Sequence, residues 1–145
     1  MSAVKNISLT VDEKAHGYAK IYSSLLKSEY QRKRSYACLV ALYAFINSLE
    51  KTDNKVQKAM TLFRNPLINE EYEISDVYVN NWHLEVRVIT AGDAFLIPKS
   101  HFNSNILPDF YVVIKVDNEL KNAELVGFLE PKKTETKQDY DNDYY

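Results

Sequence analysis

The sequence contains very little cysteine, glycine and proline, and each shortage excludes a class of protein. The single cysteine, Cys38, excludes an intramolecular disulfide and a cysteine-based zinc site. Three glycines are too few for a glycine-rich phosphate-binding loop, and no such motif occurs in the chain. Four prolines add few further loop signals. These shortages predict a compact chain without disulfides and without a nucleotide-binding loop.

Long hydrophobic runs are also absent. The longest apolar stretch, residues 36–46, is well short of the roughly 20 residues needed to span a bilayer. The polar residues that follow Met1 do not have the pattern of a signal peptide. We therefore expect a cytoplasmic protein that does not enter a membrane. With 46% hydrophobic and 26% charged residues in 145 positions, the composition is that of one globular domain.

The net charge of −2 is unevenly distributed along the chain. Residues 1–65 contain eleven Lys and Arg against five Asp and Glu, whereas residues 66–145 contain seven against fifteen. Attraction between the two halves of a single domain explains this asymmetry. The alternative is a basic surface that binds an acidic partner.

The first helix is predicted from a capping signal. Thr10 and Glu13 have the spacing of a capping box, in which each side chain accepts a hydrogen bond from the backbone N–H of the other residue. Hydrophobic residues recur at helical spacing after this point. We therefore expect a helix from about residue 11 to about residue 28, with Thr10 as its N-cap.

Two further helices are predicted before residue 64. The middle of residues 32–50 is apolar almost all round, which is typical of a central helix covered on most faces. Cys38 lies in this part and is expected to act as a small buried hydrophobic residue. A shorter helix is expected at residues 54–63. It should end before Pro66, because proline disfavours helical backbone at the residue before it.

Residues 70–131 have the patterns of about five strands. Residues 82–98 alternate hydrophobic and polar side chains around a break at residues 91–93, which predicts two antiparallel strands joined by a turn. We expect Trp82 and Val86 to pack inward against the central helix. The polar side chains of the same strand are expected to face solvent, and these are His83, Glu85 and Arg87.

The order of helices followed by strands predicts an α+β fold. About three N-terminal helices should pack on one face of a C-terminal, mostly antiparallel sheet of about five strands. We expect a single domain over residues 1–131, with its helical part at about 10–64 and its sheet at about 70–131. Residues 132–145 are polar, acidic and rich in tyrosine, a composition typical of a disordered tail.

Several short apolar motifs resemble those of one protein family. They are residues 84–89 (LEVRVI), the segment 95–98 that ends in Ile-Pro, and residues 125–131 (LVGFLEP). The helical residues 36–49 and the strand at 110–116 are similar as well. On these motifs the chain, over about residues 11–131, resembles the DUF1822 proteins, a family without an assigned function that is known chiefly from cyanobacteria. The resemblance implies a bacterial protein and no family active site.

This sequence departs from the family pattern at one position. Val86 stands where the first family motif usually has a cysteine, and the proline that follows in that motif is absent. Any chemistry of such a thiol could not operate in this chain. The resemblance therefore adds no catalytic residue to the prediction.

No set of residues in the sequence forms a recognisable catalytic or metal site. The three histidines, His16, His83 and His101, are far apart, and neither a zinc-protease motif nor a G-x-S-x-G nucleophile elbow is present. We therefore predict no catalytic residue, cofactor or metal, and lean towards a protein that is not an enzyme. The alternative is a small-ligand binding protein or enzyme with a polar site near His83, Arg87 and His101, where helices and sheet would meet.

A basic cluster with neighbouring tyrosines is the remaining candidate for an interaction surface. It predicts a small adaptor or regulatory protein that acts by contact with another protein, one with acidic character. A second alternative is weak nucleic-acid binding through residues 27–34, although a sequence pI of about 5.9 is unusual for a dedicated nucleic-acid binder. The candidate residues are Lys20, Lys27, Tyr30, Arg32, Lys33 and Arg34.

Overall fold

A computed structural model describes five parts of the chain, residues 7–24, 28–50, 56–57, 75–90 and 107–131. Two helices and six strands lie in these parts. In chain order they are β1 (Ile7–Thr10), α1 (Glu13–Ser23), α2 (Glu29–Leu49), β2 (Val56–Gln57), β3 (Asp76–Val79), β4 (Trp82–Ile89), β5 (Phe110–Val116) and β6 (Asn122–Leu129). The α+β class predicted from the sequence is confirmed.

All six strands belong to one mixed sheet in the order β1-β6-β5-β4-β3-β2. Every neighbouring pair is antiparallel except β4 and β5, which run parallel with Val86 opposite Val112. A parallel pair needs a crossover connection between its strands, here residues 90–109. The strand predicted after the break at residues 91–93 lies outside the described residues.

The hydrophobic core lies between α2 and one face of the sheet. Helix α2 is buried along most of its length because the apolar run at its centre has few polar positions to present to solvent. The predicted central helix is therefore confirmed, and Cys38 is a buried free cysteine within it. The strands contribute mainly valine to this core, at positions 77, 79, 86, 88, 112 and 116.

Helix α1 packs on α2 and begins later than predicted. Thr10 is not its N-cap, because Thr10 is the last residue of β1 and pairs with Asn122 of β6. The cap is Asp12, whose Oδ1 accepts a hydrogen bond from the Ala15 backbone N–H at 2.9 Å. The helix ends at Ser23, before the predicted end near residue 28.

The count of three helices is also wrong for the described residues. Val56 and Gln57 form strand β2, which pairs with β3, although residues 54–63 were expected to be helical. The other residues of that predicted helix lie outside the described parts. Strand β2 therefore falls in the segment that was assigned to helices, whereas β1 precedes it and was not predicted.

On both faces of β4, the burial of some residues differs from the prediction. Val86 is fully buried in the core, as expected, but Trp82 on the same face is 54% exposed. On the opposite face Glu85 and Arg87 are buried, although they were expected to face solvent. The turn before β4 is a tight hairpin turn in which Asn80 and Asn81 have left-handed φ values of 49° and 72°.

Candidate functional sites

The basic cluster predicted from the sequence lies mainly on the first turns of α2. Arg32, Lys33 and Arg34 are consecutive, so successive side chains point about 100° apart around the helix axis. Arg34 lies over the ring of Tyr30, with its guanidinium carbon 5.8 Å from the ring centroid. Lys20 is exposed in the last turn of α1.

The structure therefore separates the predicted surface into two parts. Arg34 and Tyr30 contact each other, whereas Arg32 and Lys33 line a cleft of about 650 Å³. Lys27 lies outside the described residues. The cleft, called here the α2 cleft, lies between the start of α2, the end of β4 and the turn that joins β5 to β6. Its lining residues are Ser23, Glu29, Arg32, Lys33, Tyr36, Ala37, Thr90, Asp117, Asn118 and Leu120.

The start of α2 gives one wall of the α2 cleft a favourable potential for anions. Ser28 caps the helix, and its Oγ accepts a hydrogen bond from the Gln31 N–H at 3.0 Å. The N-terminal end of a helix carries a partial positive charge. Lys33 is 78% exposed, and Glu29 approaches it to 3.9 Å one helical turn away. This wall of the α2 cleft therefore combines two cations with the positive end of a helix.

The turn between β5 and β6 forms the opposite wall. Asp117 Oδ1 accepts hydrogen bonds from the N–H groups of Lys121 at 2.8 Å and Asn122 at 3.2 Å, and Asn122 Nδ2 donates to Oδ2 at 3.0 Å. Hydrogen bonds from Asn122 and Lys121 hold the pKa of Asp117 below its usual value. The Asp117 carboxylate is therefore directed towards its own turn, which it stabilises.

A histidine and a tyrosine join the two walls. His16 of α1 places its Nδ1 2.5 Å from the Tyr36 hydroxyl and its Nε2 3.0 Å from the Leu120 carbonyl oxygen. Leu120 has a φ of 55°, a left-handed backbone conformation that turns the chain towards β6. Burial raises the pKa of Tyr36, so its phenol remains protonated at neutral pH. Sequence reasoning missed His16 because its partners are 20 and 104 residues away.

A second group of polar residues occupies the sheet face opposite α2. Asp76, His83, Glu85, Arg87 and Tyr111 share this face, as the register of β3, β4 and β5 requires. They are called here the polar cluster. His83 Nε2 lies 2.7 Å from Asp76 Oδ2, and Arg87 Nη1 lies 3.9 Å from Glu85 Oε1.

The predicted polar site is thus partly assembled in the polar cluster. His83 and Arg87 share its face, whereas His101 lies outside the described residues. No sequence pattern indicated that Asp76 and Tyr111 join them. One usable signal was the strand β5, whose apolar residues on both faces indicate that the sheet is covered on both sides.

Glu85 has the most perturbed environment of the polar cluster. Burial raises its pKa well above the usual value, the Asp76 carboxylate raises it further, and Arg87 and Ser75 oppose the shift. The Ser75 backbone N–H donates to Glu85 Oε1 at 2.8 Å, and the Ser75 hydroxyl donates to the Val86 carbonyl at 2.7 Å. Burial also raises the pKa of Tyr111, and the Glu85 carboxylate contributes to that shift.

A third surface feature explains why Trp82 is exposed. Trp82, Phe110 and Phe128 surround an open apolar groove of about 390 Å³ at the end of the sheet where β4 and β5 begin. The Trp82 and Phe110 rings are tilted, with centroids 5.5 Å apart. The hydrophobic sheet face thus extends beyond the part that α2 covers.

Comparison with known proteins agrees with the resemblance seen in the sequence. The family model for a protein of unknown function, DUF1822, matches residues 9–145. The chain belongs to the DUF1822 family. No curated protein and no solved structure matches the chain. Within the described residues, no helix of this DUF1822 protein is long and apolar enough to cross a membrane.

Three of the motifs that carry the DUF1822 resemblance lie in neighbouring strands of the sheet. Residues 84–89 lie in β4, residues 110–116 form β5 and residues 125–129 complete β6. The motif in β6 is partly exposed, and the motif at residues 95–98 lies outside the described residues. Val86, at the position where the resemblance implies a cysteine in other members, is fully buried against the core. In this DUF1822 protein the position serves packing.

Proposed function

We propose that this DUF1822 protein is a small cytoplasmic adaptor or regulatory protein without catalytic activity, which binds an acidic segment of another protein in the α2 cleft. The observation that supports the proposal is the presence of Arg32 and Lys33 on the wall of the α2 cleft that begins helix α2. Exposed cations at an interface attract acidic partners and fix their orientation. The positive end of α2 adds to the same potential.

Two acidic side chains, Glu29 and Asp117, also line the α2 cleft. Glu29 lies on the same wall as Lys33, 3.9 Å from its Nζ, and both side chains are 78% exposed, so a partner carboxylate competes with Glu29 for Lys33. Asp117 accepts its hydrogen bonds from the turn that contains it. An incoming carboxylate therefore meets Lys33 and Arg32 on the helix side of the cleft.

The proposal is tested with a defined acidic probe, a fluorescein-labelled hexaglutamate peptide. Fluorescence anisotropy measures its affinity for the full chain and for the double variant Arg32→Glu/Lys33→Glu. Because each exposed ion pair contributes up to about 1 kcal/mol and reversal adds repulsion, we expect the affinity to fall at least about tenfold. Circular dichroism should be unchanged, since surface substitutions seldom unfold a domain.

The matched control reverses two other exposed lysines, Lys14→Glu/Lys115→Glu, which belong to α1 and β5 and do not line the α2 cleft. Equal losses in both double variants would show only a general charge effect and would contradict the proposal. Tighter binding of a single-stranded oligonucleotide than of the peptide, with a steep salt dependence, would favour the nucleic-acid alternative instead. A result of that kind would also overturn the adaptor proposal.

A small-ligand binding protein or enzyme that uses the polar cluster is the second candidate. The observation in its favour is that His83 and Arg87 share one sheet face with Asp76 and Glu85, and groups with perturbed pKa values are enriched at functional sites. His83 is the partly exposed member, with 22% of its side chain accessible. A ligand bound there would shift the His83 ring resonances in an NMR titration with small carboxylic acids. Unchanged His83 resonances across such a series would count against this candidate.

A further inference from the structure

The hydrogen bonds of His16 determine which of its ring nitrogens carries a proton. The Leu120 carbonyl oxygen accepts and cannot donate, so His16 Nε2, 3.0 Å away, must carry a hydrogen. The ring can then differ only in whether Nδ1 also carries a proton. Nδ1 is a lone pair in the neutral imidazole and an N–H donor in the imidazolium.

The state of Nδ1 sets the direction of the Tyr36 hydroxyl. When His16 is neutral, the Tyr36 O–H donates its one proton to Nδ1, and its oxygen presents only lone pairs to the α2 cleft. When His16 is protonated, Nδ1–H donates to the Tyr36 oxygen, and the Tyr36 proton is released to donate elsewhere. Tyr36 lines the α2 cleft, so one wall changes from a hydrogen-bond acceptor to a donor.

We propose that a carboxylate of the acidic partner accepts a hydrogen bond from Tyr36 in the α2 cleft, and that this contact forms when His16 takes up a proton. The inference rests on the adaptor function proposed above and names the residues that bind the partner's acidic group. A carboxylate only accepts hydrogen bonds. It can therefore bind the Tyr36 hydroxyl when His16 is protonated, and it meets only lone pairs there when His16 is neutral. The proton comes from solvent and binds Nδ1, and no other bond is made or broken.

Binding and protonation must then assist each other. A ligand that prefers the protonated state raises the proton affinity of His16, and by the same coupling free energy protonation strengthens ligand binding. Histidine is the side chain that ordinarily changes charge between about pH 5 and pH 8. The binding of an acidic partner should therefore strengthen as the pH falls through this range.

The charged groups on the elements around His16 have both signs. On α1, Asp12 and Lys20 lie one helical turn away on either side and Glu13 lies three residues before it. From α2, Glu29, Arg32 and Lys33 line the α2 cleft with Tyr36. From the β5–β6 turn come Asp117, Glu119 and Lys121, of which the last two form an ion pair at 3.1 Å.

The first test uses the free protein and needs no partner. Long-range ¹H–¹⁵N NMR spectra distinguish the tautomers of a histidine, and the chain has only three histidines to assign. At about pH 8, where histidine is neutral, we expect His16 to be protonated on Nε2 alone. A His16 ring protonated on Nδ1 under these conditions would overturn the inference, because Tyr36 could not then be its donor.

The second test compares hexaglutamate affinity at about pH 5.5 and about pH 8. For the unmodified chain we expect at least about fivefold tighter binding at the lower pH, the lower end of typical coupling free energies. His16→Gln keeps a donor for the Leu120 carbonyl but cannot take a charge, so its affinity ratio should approach one. Tyr36→Phe removes the donor and should lower the ratio as well.

His83→Gln distinguishes the α2 cleft from the polar cluster, because His83 lies on the opposite face of the sheet. If the α2 cleft binds the peptide, this variant keeps the affinity ratio of the unmodified chain, and a ratio near one would overturn the inference. Because all variants are measured with the same peptide, the comparison also removes the effect of pH on the peptide itself. Equal ratios in the unmodified chain and His16→Gln would overturn this inference and leave the adaptor function standing. A lack of peptide binding at both pH values would overturn the adaptor function and this inference together.

Discussion

Glu85 is a carboxyl group whose folded environment favours its neutral form. Its pKa is raised by burial, so its contribution to stability is fully present below the unfolded pKa of about 4.3 and is lost as the pH rises through the higher folded value. The Ser75 hydroxyl opposes this shift without reversing it. It is 3.2 Å from Glu85 Oε1, but its shorter hydrogen bond, at 2.7 Å, is donated to the Val86 carbonyl.

The first prediction concerns this titration. Glu85→Gln is neutral at every pH, so the variant should lose less stability than the unmodified chain between about pH 5 and pH 8. Urea unfolding at several pH values measures the difference. Glu119→Gln, a change at an exposed glutamate, is the control and should keep the original pH dependence. Parallel curves for Glu85→Gln and the unmodified chain would contradict the pKa shift.

Two residues on one face of β4 should differ in their effect on stability. Val86 is fully buried against α2, so Val86→Ala should lower the free energy of unfolding by roughly 1–3 kcal/mol, from lost burial and the cavity left behind. Trp82 is 54% exposed, and Trp82→Ala should cost below about 1 kcal/mol despite the larger truncation. Urea denaturation of the two variants checks the order. A larger loss for Trp82→Ala would mean that the aromatic groove is a packing site of the isolated chain.

The alternation along β4 predicted which residues share a face but not what covers each face. Val86 and Trp82 share one face, yet α2 covers Val86 and leaves Trp82 at the rim. Glu85 and Arg87 share the other face, which a polar pattern assigns to solvent. Their burial depends on what packs on that face, and the periodicity of one strand contains no information about its cover.

At the scale of elements, the start of α1 shows how a local signal can be overruled. Thr10 and Glu13 match a capping box, but four backbone pairs between β1 and β6 extend the chain through Thr10. The helix then begins after Asp12, which is also a good N-cap residue. The burial of helix α2, in contrast, was predicted correctly, because its apolar centre indicates a buried helix and the structure has one.

The cap gives a prediction at the same scale. Asp12→Ala should destabilise the protein by about 1 kcal/mol, because it removes the acceptor for the Ala15 N–H and a negative charge at the positive end of the helix. Thr10→Ala is the control and should have the smaller effect, since Thr10 is exposed in β1. Thermal or urea unfolding of both variants measures the difference. A larger loss for Thr10→Ala would restore the capping box as the start of α1.

Short strands are the elements that sequence reasoning missed. Strand β1 has four residues and β2 has two, so neither is long enough for a period to be recognised. Both are strands because of partners, β6 for β1 and β3 for β2. Long, strongly apolar segments such as α2, β4 and β5 were predicted from their own residues.

For the whole molecule, the fold class followed from the sequence and the arrangement of the sheet did not. Helices on a mostly antiparallel sheet could be predicted, whereas the parallel pairing of β4 and β5 could not, because either direction buries the same apolar residues. The candidate site was likewise predicted only in part. Arg32 and Lys33 were predicted from a basic cluster, but the α2 cleft exists because β4 and the β5–β6 turn end beside them.

The pairing of β1 with β6 links folding to the timing of synthesis. Ile7 emerges from the ribosome long before its partner Leu125, which is in the last described strand. Domains tend to fold as units during synthesis, but here an edge of the sheet stays open until the chain through Leu129 is available. Contacts of such long range make folding slow compared with the formation of helices. Leu9 of a nascent chain therefore lacks its β6 partner while residues 11–121 are made, and this is the stage at which a chaperone would engage the chain.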